Sequence, residues 1–159
     1  MFSITSMDKA IFAAGCFWHV EHTFNTTPGV IEAISGYTGG KFKNPSYEDV
    51  CTGSTGHAEA VQVTFDSKKI SFEKLLDIFW KLHDPTTLDR QGPDIGSQYR
   101  SAIFFVSEKQ KALAEKSKQE YQKRLQKPIV TEITKASTFY PAEEYHQRYY
   151  EKHKVFKCG

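Results

Sequence analysis

Cys16 stands between Gly15 and the pair Phe17-Trp18, where a short apolar run gives way to apolar residues at helical spacing. A cysteine at such a strand-to-helix turn lies near unpaired backbone N–H groups and the positive end of a helix, a setting that favours the thiolate. Two large aromatics directly after it are costly to expose unless they pack in the core or line something apolar. Glu59 is the second unusual residue. It falls in register with Val61, Val63 and Phe65, so a strand here turns its carboxyl to the apolar side. Desolvation there raises a carboxyl pKa and suits a general acid. A soft nucleophile and an un-ionised carboxyl point to thiol-based chemistry. The bland alternatives are a small buried cysteine at a strand end and a glutamate at a fraying, solvated one.

The three cysteines, Cys16, Cys51 and Cys158, are odd in number and widely spaced, unlike a disulfide framework or a CxxC metal knuckle. They read as individual thiols. Cys158 is a tail residue, and a mobile tail can carry a second thiol to a distant first one. His57-Ala58-Glu59 has the HxE form of zinc deaminases, but no PCxxC follows it. By position alone Tyr47 and Tyr99 are surface or packing tyrosines, and Asp94, inside Gly92-Pro93-Asp94-Ile95-Gly96, is a turn residue.

The elements that must position these groups follow from periodicity and punctuation. Strands are expected over Lys9 to Ala14, Val30 to Tyr37, Glu59 to Phe65, Tyr99 to Val106 and Ile129 to Ile133. Helices are expected from Cys16 to Thr26, from a Ser71 cap to Leu82, from a Ser107/Gln110 capping box to Gln126, and as a short piece from Pro141. Thr38 to His57 and Pro85 to Gln98 are rich in Gly, Pro, Asn, Ser or Thr and read as long, functional loops. This order fits an α+β fold, a ferredoxin-like split-βαβ sandwich with a mixed sheet and flanking helices. At 159 residues one domain is expected, spanning 1–159 with a flexible tail from about 150. Lys plus Arg number 21 against 19 Asp plus Glu, scattered along the chain, so nothing marks a nucleic-acid or polybasic membrane surface. The 12 Phe, 8 Tyr and 2 Trp supply core material and argue against disorder. With no long apolar run and no secretory start, a soluble cytoplasmic protein is expected, and its size favours a monomer.

Several blocks resemble one family, the peptide methionine sulfoxide reductases of the A class. Gly15-Cys16-Phe17-Trp18 is similar to its GCFW, Gly36-Tyr37-Thr38-Gly39-Gly40 to its GYTGG, and Gly56-His57-Ala58-Glu59-Ala60-Val61 to its GHAEAV. Pro45-Ser46-Tyr47 with Val50-Cys51, the run Gly96-Ser97-Gln98-Tyr99-Arg100-Ser101, and Phe139-Tyr140 with Glu143 and His146-Gln147 agree in the same order. The resemblance implies that Cys16 is the nucleophile, Glu59 the acid, and Tyr47 and Tyr99 partners of the sulfoxide oxygen, with Asp94 in the same polar cluster. It also implies a methyl pocket from Phe17 and Trp18 and a resolving role for Cys158. The second recycling cysteine of longer members has no counterpart here, His19 stands where small residues are common, and Cys51 matches a position with no required part.

On that resemblance the expected activity is reduction of methionine-S-sulfoxide in proteins, with the free amino acid a further candidate, through a Cys16 sulfenic acid and a Cys16–Cys158 disulfide. The expected partners are oxidised proteins or peptides and thioredoxin as reductant, with no nucleic acid and no membrane. No cofactor or metal is implied. Two rivals share part of the pattern: a thiol peroxidase, and a non-catalytic metal- or redox-sensing module using Cys16, Cys51 and His57.

Overall fold

A computed structural model describes residues 7–153. The first strand, β1 (Met7–Ala14), is central to a six-stranded sheet, because its alternating small and apolar residues are buried on both faces from Ala10 onward. It is followed by helix α1 (Phe17–Asn25), strand β2 (Val30–Thr38), the short helix α2 (Tyr47–Cys51) and strand β3 (Ala58–Asp66). Helix α3 (Phe72–Lys81), the small strands β4 (Arg90–Gln91) and β5 (Asp94–Ile95), and strand β6 (Ser101–Phe105) come next. Helix α4 (Glu108–Gln122), strands β7 (Glu132–Lys135) and β8 (Tyr140–Pro141) and helix α5 (Tyr149–His153) complete the order.

The large sheet runs β7-β6-β1-β3-β2-β8. Its four inner strands, in the order β6-β1-β3-β2, each run antiparallel to their neighbours, the split-βαβ arrangement, and β7 joins β6 in parallel, which makes the sheet mixed. One face carries the main core, where Phe12 stacks on Phe24, Phe72 and Phe79 at ring-centroid distances of 5.2, 6.1 and 5.2 Å. The other face buries Ile11, Ala13, Ala58, Ala60, Ala102 and Phe104 under Ala136 and Phe139. Strand β3 obeys the period of two, so Val61, Val63 and Phe65 join the main core while Ala58 and Ala60 point away.

Helix starts follow their caps. The Ser71 and Ser107 side chains accept from Lys74 N and Gln110 N, and the Gln110 side chain reaches past Ser107 to accept from Val106 N. Six expectations are corrected. The loop 38–57 contains α2, because a reciprocal Ser46/Asp49 capping box closes its first turn. The loop 85–98 contains the β4–β5 pair, and Tyr99 ends a 3-10 turn held by Tyr99 N to Gly96 O, so it precedes β6 instead of starting it. Strand β7 begins at Glu132, not Ile129, since Ile129 N donates to Gln122 Oε1 and Val130 N to Pro85 O, away from the sheet. Pro141 ends β8 and starts no helix; a 3-10 turn at Glu144–His146 and α5 follow. Helix α4 also stops at Gln122, four residues short of the expected end. Among the described residues no helix is long and apolar enough to cross a membrane.

Candidate active site

The turn from β1 into α1 depends on Gly15. Its φ of +92° is left-handed, and a Cβ there would lie 2.7 Å from Gln91 Cγ. The sharp reversal puts Cys16 at the N-cap of α1, with φ −56° and ψ 123°, beside the first N–H groups of a nine-residue helix. A sulfur held there is favoured as thiolate by those N–H groups and by the helix dipole. Cys16 is disulfide-bonded in this structure and Cys51 is free, while Cys158 lies outside the described residues.

Strand alternation carries Glu59 into the same corner. It is 1% exposed, and its Oε1 accepts from Phe17 N at 3.2 Å, one residue from Cys16. Its Oε2 is buried with no hydrogen-bond partner among the described residues. Burial, opposed by the Phe17 N–H and reinforced by the Asp94 charge, pushes its carboxyl up to about 8. The group is therefore protonated at neutral pH, when Oε2 can donate into the space before it.

That space is a cavity of about 190 Å³ lined by Cys16, Phe17, Trp18, Tyr47, Glu59, Asp94 and Tyr99. Every expected site residue among the described ones lines it. The elements that bring them are separate: the N-terminus of α1, the first residue of α2, β3, β5 and the 3-10 turn before β6. Burial and the Glu59 charge raise the Tyr47 phenol well above its ordinary value, and burial with Glu59 and Asp94 pushes Tyr99 up to about 12. Both hydroxyls keep their protons as donors across the neutral range. Burial also raises the Asp94 carboxyl.

The aromatic wall has support that sequence reasoning missed. Trp18 Nε1 donates to His146 Nδ1 at 3.0 Å, and the indole stacks on Tyr149 at 3.8 Å and 8°. His146 is 1% exposed, contacts Phe17 and Tyr47 at centroid distances of 5.2 and 4.5 Å, and burial lowers its pKa despite the Glu143 charge. Behind α1, Glu21 accepts from Arg148 N at 2.9 Å and from Ser35 Oγ at 3.1 Å, tying the C-terminal segment to the helix that carries Cys16. Glu143 and His146 stood in a matching block, but nothing in a linear sequence shows that His146 meets Trp18, 128 residues away. His57 serves the loop instead of a metal: Gly40 N donates to its Nδ1 at 3.0 Å, and its Nε2 bonds Phe42 O at 2.6 Å.

A cysteine at a helix start facing an un-ionised carboxyl, with phenol donors and an indole in one small hollow, defines a thiol-using oxidoreductase on an α+β scaffold. The family model described as "Peptide methionine sulfoxide reductase" matches residues 8–159, and the chain belongs to that family. The peptide methionine sulfoxide reductase MsrA of Methanosarcina acetivorans is 57% identical over 148 residues, covering 92% of this chain and 79% of that protein. Among solved structures, Mxr1 from Saccharomyces cerevisiae in reduced form superimposes with a TM-score of 0.92 at 36% identity, covering 99% of this chain and 92% of that one. The same yeast protein in complex with Trx2 aligns at TM-score 0.67 and 28% identity over 92% of this chain and 88% of that one.

Proposed function

We propose that this protein reduces methionine-S-sulfoxide in oxidised polypeptides to methionine, with thioredoxin as the recycling reductant. The observation that carries the reading is the single cavity in which Cys16 and a protonated Glu59 meet the Phe17-Trp18 wall and two phenols. The sulfoxide oxygen leaves sulfur poorly until it is protonated, and the sulfur needs a soft nucleophile. The Cys16 thiolate attacks the sulfoxide sulfur as Glu59 gives its proton to the oxygen, which Tyr47 and Tyr99 hold by hydrogen bonds. Attack makes a bond between the Cys16 sulfur and the substrate sulfur; that bond and the S–O bond then break as the protonated oxygen passes to the Cys16 sulfur, leaving Cys16 oxidised to sulfenic acid and methionine with its sulfur reduced by two electrons. The Cys158 thiol condenses with the sulfenic acid, releasing water and forming a disulfide, which a dithiol protein then reduces.

Phe17 and Trp18 receive the methyl group, and Asp94 helps hold Glu59 in its protonated form. Tyr149–His153 form α5, with Tyr150 buried against α1, so the resolving thiol of Cys158 belongs to the chain that follows that helix. The Trx2 complex of yeast Mxr1 supports a thioredoxin-type reductant. A fixed methyl wall and a fixed oxygen site define one hand at sulfur, so resolved epimers test the reading. With a thioredoxin system the S epimer in a peptide is reduced and the R epimer is left. Equal rates on both contradict it.

A further inference from the structure

Helix α2 has five residues, too few to hold its shape unaided, yet its first residue is Tyr47. Its own sequence satisfies two amides of its first turn: Asp49 N donates to Ser46 Oγ and Val50 N to Ser46 O, both at 3.1 Å. The Tyr47 N–H is taken by Glu143 Oε2 at 2.9 Å, from 96 residues away in the chain. The other oxygen, Oε1, accepts from the Tyr37 hydroxyl at 2.9 Å. Tyr37 is fully buried on β2 directly across from Glu59, and its ring lies 5.6 Å from that of Phe17. Glu143 is itself anchored, since β8 pairs with β2 just before it and Ala142 N donates to Ser35 O at 2.8 Å.

We propose that Glu143 is a positioning residue: its carboxylate, shared between the Tyr37 hydroxyl and the Tyr47 amide, locks α2 to the sheet and fixes the Tyr47 phenol at the sulfoxide oxygen. This rests on the role given to Tyr47 above and deepens it. Glu143 lies outside the cavity wall and exchanges no proton in the reaction. Burial works against its charge, but the Tyr47 amide, its own backbone N–H and the Tyr37 hydroxyl outweigh it and hold the carboxyl below its ordinary value. The bonds it makes, not its charge, do the positioning. An amide in its place accepts from Tyr47 N through oxygen and donates to Tyr37 Oη through nitrogen, so both links survive.

The test is a double-mutant cycle read as the single-turnover rate of pre-reduced enzyme on a saturating methionine-S-sulfoxide peptide. Glu143→Ala slows that rate roughly tenfold to a hundredfold, the size of effect that a misplaced catalytic group produces. Glu143→Gln restores it to within about threefold of wild type. Tyr47→Phe, damaging in the native background, slows the Glu143→Ala enzyme by less than about twofold more. Should Glu143→Ala not fold, Tyr37→Phe removes one of the two links, and its cycle with Tyr47→Phe shows the same shortfall from multiplicative effects. Multiplicative effects, or a Gln variant as slow as Ala, overturn the positioning role. A wild-type enzyme that makes no methionine overturns the functional reading and this inference with it.

Discussion

Glu59→Gln separates proton delivery from shape. Gln keeps the volume and can still accept from Phe17 N and donate a hydrogen bond into the cavity, but it has no proton to release. Loss of a general acid costs about 10²- to 10⁴-fold, so the single-turnover rate falls by that factor while substrate binding changes little. The pH dependence is sharper evidence. With Glu59 titrating at about 8, about nine-tenths of it is protonated at pH 7 and about one-tenth at pH 9. Dividing the wild-type rate by the Gln rate at each pH removes what the two proteins share and leaves the proton supply from Glu59. That ratio drops about tenfold from pH 7 to pH 9. Folding stability carries the same signature. A folded-state pKa raised from 4.5 makes Glu59 favour folding most below pH 4.5 and lose that contribution as pH rises through 8, up to about 5 kcal/mol. Glu59→Gln therefore gains stability relative to wild type as pH rises from 5 to 9. Rapid-quench product counting and denaturant titration measure the two effects. A Gln variant within about threefold of wild type from pH 5 to 9 refutes proton delivery by Glu59.

Cys158→Ser leaves one methionine formed per enzyme and abolishes steady turnover with thioredoxin; cycling at the wild-type rate would pass the resolving step to another group. His83 bonds Phe79 O at 2.8 Å and Ser101 Oγ at 2.7 Å, and burial pushes its pKa down to about 4. Its contribution to stability is present above pH 6.5 and lost as pH falls through 4, amounting to about 3 kcal/mol, so denaturant titration at pH 7 and pH 4 should show a smaller acid loss in His83→Gln. Equal losses would contradict this.

Much of the site was legible because local rules bind it. Period-two alternation alone placed Glu59 on the apolar face, and the strand-to-helix switch at Gly15 placed Cys16 at a helix start. Tyr47, Tyr99 and Asp94 were different: position in the chain gave them nothing beyond turns and packing, and only the family resemblance drew them to Cys16. The structure seats them on short pieces, a five-residue helix, a 3-10 turn and a two-residue strand, whose signals are too brief for periodicity to detect. Glu143, His146 and Tyr149 were out of reach for another reason. Their partners, Tyr37, Tyr47 and Trp18, lie about a hundred or more residues earlier, and only the closing of β8 onto β2 brings them together. Strand β7 was misplaced by three residues because apolar Ile129 packs into the core without sheet pairing.

Oxygen transfer from methionine-S-sulfoxide to Cys16 can be seen directly. The most direct measurement uses pre-reduced Cys158→Ser protein, an S-sulfoxide peptide in excess, no other reductant, and a sulfenic-acid trapping reagent, with methionine counted and the labelled cysteine mapped by mass spectrometry. One methionine forms per protein molecule and the label sits on Cys16, with none on Cys51 and no methionine formed by Cys16→Ser. Methionine formed by Cys16→Ser, or a label carried by Cys51, would contradict it.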